Sequence, residues 1–348
     1  MTNRWDVIVI GAGLAGSALA ANLSQTGTRT LLLEAAAPGC GGASARSRGI
    51  VRVYDPNPTL MRCNVGGVRE WRRLNQRWPG LFTECGIVYL LRGEHIAAAQ
   101  PLIREFSGPD YPITLISRQQ AMVLIPGLNI PPEAGILYEE KGGYVNPSLA
   151  CLLLANQARE QGAELLEGIS VTRLESQYDG VIVHTANQAF HARLAVVATG
   201  AHSPGLVPES TLFSRSIPLS NLYCSTAQAP GRCLIDEYSG SYMRPGSPVF
   251  VFAGGAPQQD AVAPEALPQT AGWHPANLAL AQKMLPDTSF QHTHGWDGYD
   301  GYTADFLPET RLLAGRHLAL FCGFSGRGAK YIPDAARQFS LQLRAYLQ

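Results

Sequence analysis

Of the chain's 27 lysines and arginines only three are lysines, and one of these, Lys330, lies in GFSGRGAKYIPD (residues 323–334), directly after an apolar run. A composition so poor in lysine gives little reason to expect Lys330 as surface filler. Gly323, Gly326 and Gly328 let backbone come close to a bound molecule, since glycine places no side chain in the way. A lysine closing such a loop can meet an anionic group, or it can simply enter a helix and point to solvent.

A second set of residues with chemical spacing opens the chain. Residues 5–10, WDVIVI, predict a buried parallel strand, after which Gly11, Gly13 and Gly16 open an apolar helical run. In strand, G-x-G-x-x-G, helix, the first glycine makes a tight turn and the second lets backbone approach a pyrophosphate. The third packs helix on strand, and the helix N-terminus offers free amide donors to phosphates. Gly27 closes this helix, TRTLLLE predicts a second strand, and Glu34 ends it at the spacing of a ribose hydroxyl acceptor. An acidic residue there disfavours a 2′-phosphate, so FAD or NAD fits better than NADP.

The next loop, GCGGASARSRGIVR (residues 39–52), carries small residues and three arginines, which suits a second wrap around a large cofactor; an exposed basic loop is the plainer alternative for Arg46 and Arg48. Elements that must position these loops follow. A helix is predicted over 58–78, a strand at CGIVYLLR and a helix over 94–106, before the turn-rich IPGLNIPPEAG marks a domain crossing. Asn146 and Pro147 start a helix that ends at Gly162. VTRLESQYDGVIVHT reads as a hairpin turning at Asp179 and Gly180, and ARLAVVATG as a buried strand running into a small-residue loop at Thr199 and Gly200. Alternation over 213–255 predicts a mostly antiparallel sheet, and a helix is expected near 274–285.

With 348 residues, 46% apolar and 16% charged, the composition is that of an ordinary globular protein, and no segment has the apolar length of a membrane span. Zero formal charge gives nucleic acid binding no support. Seven scattered cysteines without C-x-x-C point to free thiols in the cytoplasm, and no export signal precedes the first strand. His292 and His294 lack further ligands at metal spacing, so no metal is expected.

Taken in order, VIVIGAGLAGSALAANLSQTG, Glu34, GASARSRGIVR, GGYVNPSLA, AVVATGAHSP, YMRP and LFCGFSGRGAKYIPD resemble the flavin-dependent amino acid and amine oxidase family that includes D-amino-acid oxidase, glycine oxidase and monomeric sarcosine oxidase. The resemblance implies α/β structure plus an antiparallel sheet. In that fold a Rossmann-like FAD-binding domain (1–85, 142–212, 300–348) interleaves with a smaller substrate domain (86–141, 213–299). It implies hydride transfer from an amine-bearing carbon to flavin N5, giving an imine, with oxygen or another electron acceptor. Cofactor contacts then fall on Gly11, Gly13, Gly16, Glu34, Ala43, Ser44, Arg46, Ser47, Val171, Thr199, Gly200, Gly323, Gly326, Gly328 and Lys330.

GFSGRGAK is similar to the GFSGHGFK of the sarcosine oxidases, whose lysine helps hold the substrate carboxylate. Lys330 takes that place, and Arg52 falls where that branch has its second carboxylate-binding cation; within the residues alone, an ion pair is the alternative for Arg52. Tyr242 and Tyr302 match pocket-lining aromatics, or are core tyrosines, and Arg244 is a further carboxylate partner. A small carboxylate-bearing amine is the implied substrate. The chain departs from that branch in having no lysine between Lys141 and Lys283, where the branch has one above the flavin, and no cysteine between Cys233 and Cys322, where the branch bonds its flavin. FAD held without a covalent bond is therefore expected. A 2-hydroxy acid substrate, or a non-catalytic flavoprotein partner, is compatible with the same residues.

Overall fold

A computed structural model describes residues 4–224 and 229–348. The first apolar run forms the strand Arg4–Ile10, followed by the helix Leu14–Ser24 and the strand Thr30–Leu33, the order that the glycine spacing predicts. Arg4–Ile10 pairs in parallel with Thr30–Leu33 on one side and Ala189–Val197 on the other. Glu164–Leu166 and Leu318–Cys322 extend the parallel arrangement outward. Every residue of Thr30–Leu33 and Leu318–Cys322 is buried, as in parallel sheets covered on both faces. Helices Pro147–Glu160 and Ile332–Leu347 pack against Leu14–Ser24. The hairpin Val171–Ser176 and Val181–Thr185 pairs onto Ala189–Val197, and its turn is closed by Gln177 N–H donating to Gly180 O at 2.7 Å.

A second sheet of nine strands is mostly antiparallel. Its longest pairing runs from Phe213 opposite Tyr302 to Cys224 opposite Phe290, and Cys233–Asp236 joins Ile87–Leu91 in parallel. This sheet has its own core, including Val88, Leu234, Met243 and Val251. A small three-stranded sheet, Ile50–Val51, Gly143–Val145 and Phe82–Glu84, sits where the chain passes between the two larger ones. The Rossmann-like unit and the antiparallel sheet are thus both present. The part of the alternating segment at 225–228 lies outside the described residues.

Local chemistry explains where elements begin. Asn146 Oδ1 accepts from Leu149 N–H at 3.2 Å, capping the helix that Pro147 opens. Two elements differ from expectation. The loop 39–52 contains a short helix, Gly42–Arg46, and the strand Ile50–Val51, because two apolar residues find a partner in Gly143–Val145. Directly before the turn-rich IPGLNIPPEAG lies a helix that was not expected, Arg118–Leu124, started by a capping box in which Gln120 N–H donates to Ser117 Oγ and Ser117 N–H to Gln120 Oε1. Among the described residues no helix is long and apolar enough to cross a membrane.

Candidate active site

The carboxyl ends of the parallel strands open onto a cavity of about 860 Å³. Gly11, Glu34, Thr199 and Gly323, each following one of those strands, line it, in keeping with the rule that open α/β sheets bind ligands there. The second sheet contributes Leu219, Tyr242 and Tyr302.

At the N-terminal end of the cavity the backbone forms a glycine turn suited to holding phosphates. Gly16 packs so tightly on the carbonyl of Gly11 that a Cβ there would collide with it. The helix Leu14–Ser24 begins at Gly13 without a side-chain cap of its own, and Ser44 Oγ accepts from Leu14 N–H at 3.0 Å. Glu34 Oε2 accepts from Ala12 N–H at 2.5 Å and Oε1 from Ala36 N–H at 2.9 Å, which holds the carboxylate at the mouth of the glycine turn. A glycine turn, a helix N-terminus that Gly13 leaves without a side-chain cap of its own and an acidic group at the second strand would fit a dinucleotide with a free ribose 2′-hydroxyl. Glu34→Ala is expected to weaken FAD retention about tenfold or more, as hydrogen bonds to charged groups contribute ~1.5–3 kcal/mol. Flavin occupancy after dilution and ultrafiltration checks this; full retention would count against the ribose contact.

The glycine-rich loop after Leu318–Cys322 closes another side. Gly326 has φ of 69°, and a side chain there would also strike the Tyr302 hydroxyl. Its N–H donates at 2.9 Å to Asp300, whose carboxyl lines the cavity and is pushed up to about 6 by burial. Tyr302 is buried and Tyr242 half-buried, and burial raises both hydroxyls, that of Tyr302 to about 12.

Basic groups gather near the same loop. Lys330, 6% exposed, donates from Nζ to Asp55 Oδ2 at 2.8 Å, and Arg327 Nε lies 3.5 Å from the same oxygen. Burial, with Arg52 nearby, draws the Lys330 ammonium down to about 7. Burial opposes the Asp55 charge, but Lys330 and Arg52 outweigh it and bring that carboxyl to about 2. Arg52 stacks on Tyr89 at 4.9 Å, and its Nη1 is buried with no hydrogen-bond partner among the described residues. Buried Glu139 stands near Arg52, accepting from Val53 N–H, Tyr54 N–H and the Tyr111 hydroxyl. Arg48 lies over Trp296 at 3.9 Å, and burial and Arg244 lower it to about 10.

Of the residues expected at a site, Arg52, Lys330, Tyr242 and Tyr302 all line the cavity, as do Ala43, Ser44, Arg46, Ser47, Val171, Thr199 and Gly200. Lys330 does not point to solvent. Gly16 lies behind the wall, where its contact with Gly11 places it. Arg244 is not among the lining residues; it is sandwiched between Tyr144 at 4.2 Å and Phe252 at 4.6 Å. Arg48, weighed with Arg46 as part of a cofactor-wrapping loop, lines the cavity too, and Asp55, Arg327, Asp300 and Glu139 are the polar groups that the sequence alone did not single out. Asp55 reads locally as part of the turn before a helix, where Asn57 caps, and nothing nearby announces a lysine 275 positions away.

Residues 6–340 match the family described as FAD dependent oxidoreductase. The monomeric sarcosine oxidase of Streptomyces avermitilis is 32% identical over 213 residues, 60% of this chain and 55% of that protein. The N-methyl-L-tryptophan oxidase of Yersinia pestis is 27% identical over 207 residues, 59% of this chain and 56% of that protein. The chain thus spans little more than half the length of these curated relatives. L-proline dehydrogenase from P. horikoshii shares the fold, with a TM-score of 0.88 at 19% identity over 99% of this chain and 95% of that one.

Proposed function

We propose, from the premise that this chain belongs to the FAD-dependent oxidoreductase family and takes FAD as its cofactor, that it oxidises the C–N bond of a small amine bearing a carboxylate. FAD, when bound, supplies the acceptor for a hydride at its N5. The chain's own residues orient the substrate. The observation that carries this reading is the pair of cations on one cavity wall: Arg52, half-buried, whose buried Nη1 has no hydrogen-bond partner among the described residues, and Lys330, buried, whose Nζ makes one hydrogen bond among them. An ammonium has three protons and Asp55 takes one, which leaves donors for a substrate carboxylate. Holding that carboxylate fixes the amine-bearing carbon, and orientation of this kind contributes several kcal/mol to lowering a barrier. Tyr242 and Tyr302 wall the pocket as neutral hydroxyls. No side chain need remove a proton from carbon, since a neutral amine loses hydride once positioned, and the imine then hydrolyses in water.

The cradle at Gly11 to Gly16, Glu34 and the loops at 43–47 and 199–200 would hold the dinucleotide, and residues 323–328 its flavin end. Binding is non-covalent in this reading: Cys322, the thiol of the cavity wall, is buried, and burial pushes it up to about 12, far from the reactive thiolate range. Residues 1–85, 142–212 and 300–348 would form the FAD domain and the remainder the substrate domain, in a cytoplasmic enzyme that passes electrons to oxygen or another acceptor.

Anaerobic titration of the purified protein with amino acids, N-methyl amines and 2-hydroxy acids tests the reading. Bleaching of the flavin band by an amino compound is expected, and admitting air then distinguishes oxygen from other acceptors. Bleaching by hydroxy acids alone would overturn the C–N assignment, and yellow colour retained on denatured, filtered protein would overturn non-covalent binding.

A further inference from the structure

We propose that Asp55 is a positioning residue for the carboxylate anchor, holding Lys330 against the cavity wall as an ammonium ion, so that the anchor's strength is set from behind by a group the substrate never touches. The inference rests on the reading of Arg52 and Lys330 as that anchor.

The geometry is that of a built contact. Asp55 and Lys330 side chains are 2% and 7% exposed, and they meet at 2.8 Å across 275 positions of sequence. Asp55 is not among the residues that line the cavity, whereas Lys330 is. Asp55 is itself fixed by Asn57 N–H, which donates to its Oδ1 at 3.1 Å at the start of the helix Pro58–Arg77. That helix also clamps the lysine's backbone: Gly67 lies against the Lys330 carbonyl, and Trp71 Nε1 donates to Ala329 O at 2.7 Å.

The charges around Lys330 make it the softest cation of the cluster. Arg52 comes from the segment after Ile50–Val51 and Arg327 from the glycine-rich loop, and both disfavour a charge on Lys330, whereas Asp55 favours it. Glu139 acts on Arg52 from behind, and Asp334, on the following helix, is engaged by Arg337 at 2.8 Å. Because burial and the arginines bring Lys330 down to about 7, an entering carboxylate must stabilise its charged form and raise it again. Binding of a carboxylate and protonation of Lys330 are therefore linked. Affinity is full below pH of about 7 and falls as pH rises through it, by roughly tenfold per unit, until the pH reaches the raised value of the complex.

The test uses the FAD-loaded protein and benzoate, a carboxylate that cannot be oxidised at a C–N bond, followed by the flavin absorption change across a pH series. For wild type the dissociation constant is expected to rise above pH of about 7. In Asp55→Asn that rise should begin about 1–3 units lower, the span by which a neighbouring opposite charge moves such a group. At pH of about 8 this weakens binding roughly tenfold or more, while the two curves converge at the acid end; Asp55→Glu should restore most of the wild-type profile. A constant offset at every pH would mean that Asp55 merely supports the fold, and unchanged or tighter binding would mean that it does not charge the anchor; each overturns the inference. Calorimetry of wild type in two buffers of different ionisation enthalpy keeps the idea open to refutation should Asp55→Asn fail to fold. Benzoate binding above the break is expected to take up a proton, and no uptake would overturn the inference. If wild type holds FAD but binds no carboxylate at any pH, the anchor reading itself falls, and Asp55 with it.

Discussion

Lys330→Met is expected to raise the apparent substrate constant by about 10- to 100-fold while the flavin stays bound, because a hydrogen bond to a charged group contributes ~1.5–3 kcal/mol. The methionine retains much of the lysine's apolar stem, and what it removes is the ammonium at the cavity wall. Asp55 is then left with Arg327 at 3.5 Å, and Arg52 remains to meet the carboxylate, so binding is weakened rather than abolished. Stability should fall too, since removing one member of a buried ion pair leaves the other poorly compensated, at a cost of ~3–5 kcal/mol in the worst case. Steady-state kinetics with the best substrate, run beside flavin absorbance and thermal unfolding, separate these effects. Unchanged kinetics in a folded, yellow variant would remove Lys330 from substrate binding.

The second large effect is expected at Gly16. Its missing Cβ is what allows the helix Leu14–Ser24 to lie against the Gly11 carbonyl, and Val9 also closes on that position. A Gly16→Val side chain has no flexible neighbour to push aside, because the obstacle is backbone. Overpacking in a tight core commonly costs ~1–3 kcal/mol, and here the displaced helix also carries the amide donors that would face a bound pyrophosphate. The protein should be recovered without flavin, or with occupancy reduced at least about tenfold on adding FAD. Fluorescence quenching of added FAD measures this directly, and wild-type affinity would show that the third glycine is dispensable for the cradle.

The two variants bear on parts of the chain that differ in how far sequence reveals them. Gly16 belongs to a unit that is local: strand, turn, helix and second strand follow within residues 4–34, and each carries its own signal in apolar period, glycine spacing or terminal charge. The caps at Asn57 and Asn146 and the turn at Gly180 are local in the same sense. Lys330 could be singled out by its rarity and by the glycines before it, but its partner could not. The aspartate lies in a turn that reads as the approach to a helix, and only the packing of that helix against the 3-10 turn Gly328–Lys330 brings the two together.

Arg244 makes the complementary point. Its place in YMRP suggests a cation for a carboxylate, yet the strand Ser241–Ser247 turns it into a stack between Tyr144 and Phe252, while Tyr242, two residues earlier, lines the cavity. Alternation along a strand tells which residues share a face, but not what the opposing element presents to that face. By itself the sequence determined the opening strand, glycine turn and helix, most of the longer strands and helices and the presence of an antiparallel sheet, because those depend on short-range periodicity and backbone conformation. Tertiary structure alone decided which charges meet in the cavity wall, how Asp55 balances Lys330 and which tyrosines face inward. Those outcomes depend on burial and on contacts between residues hundreds of positions apart, where the energy of a charge is set by neighbours that no local pattern names.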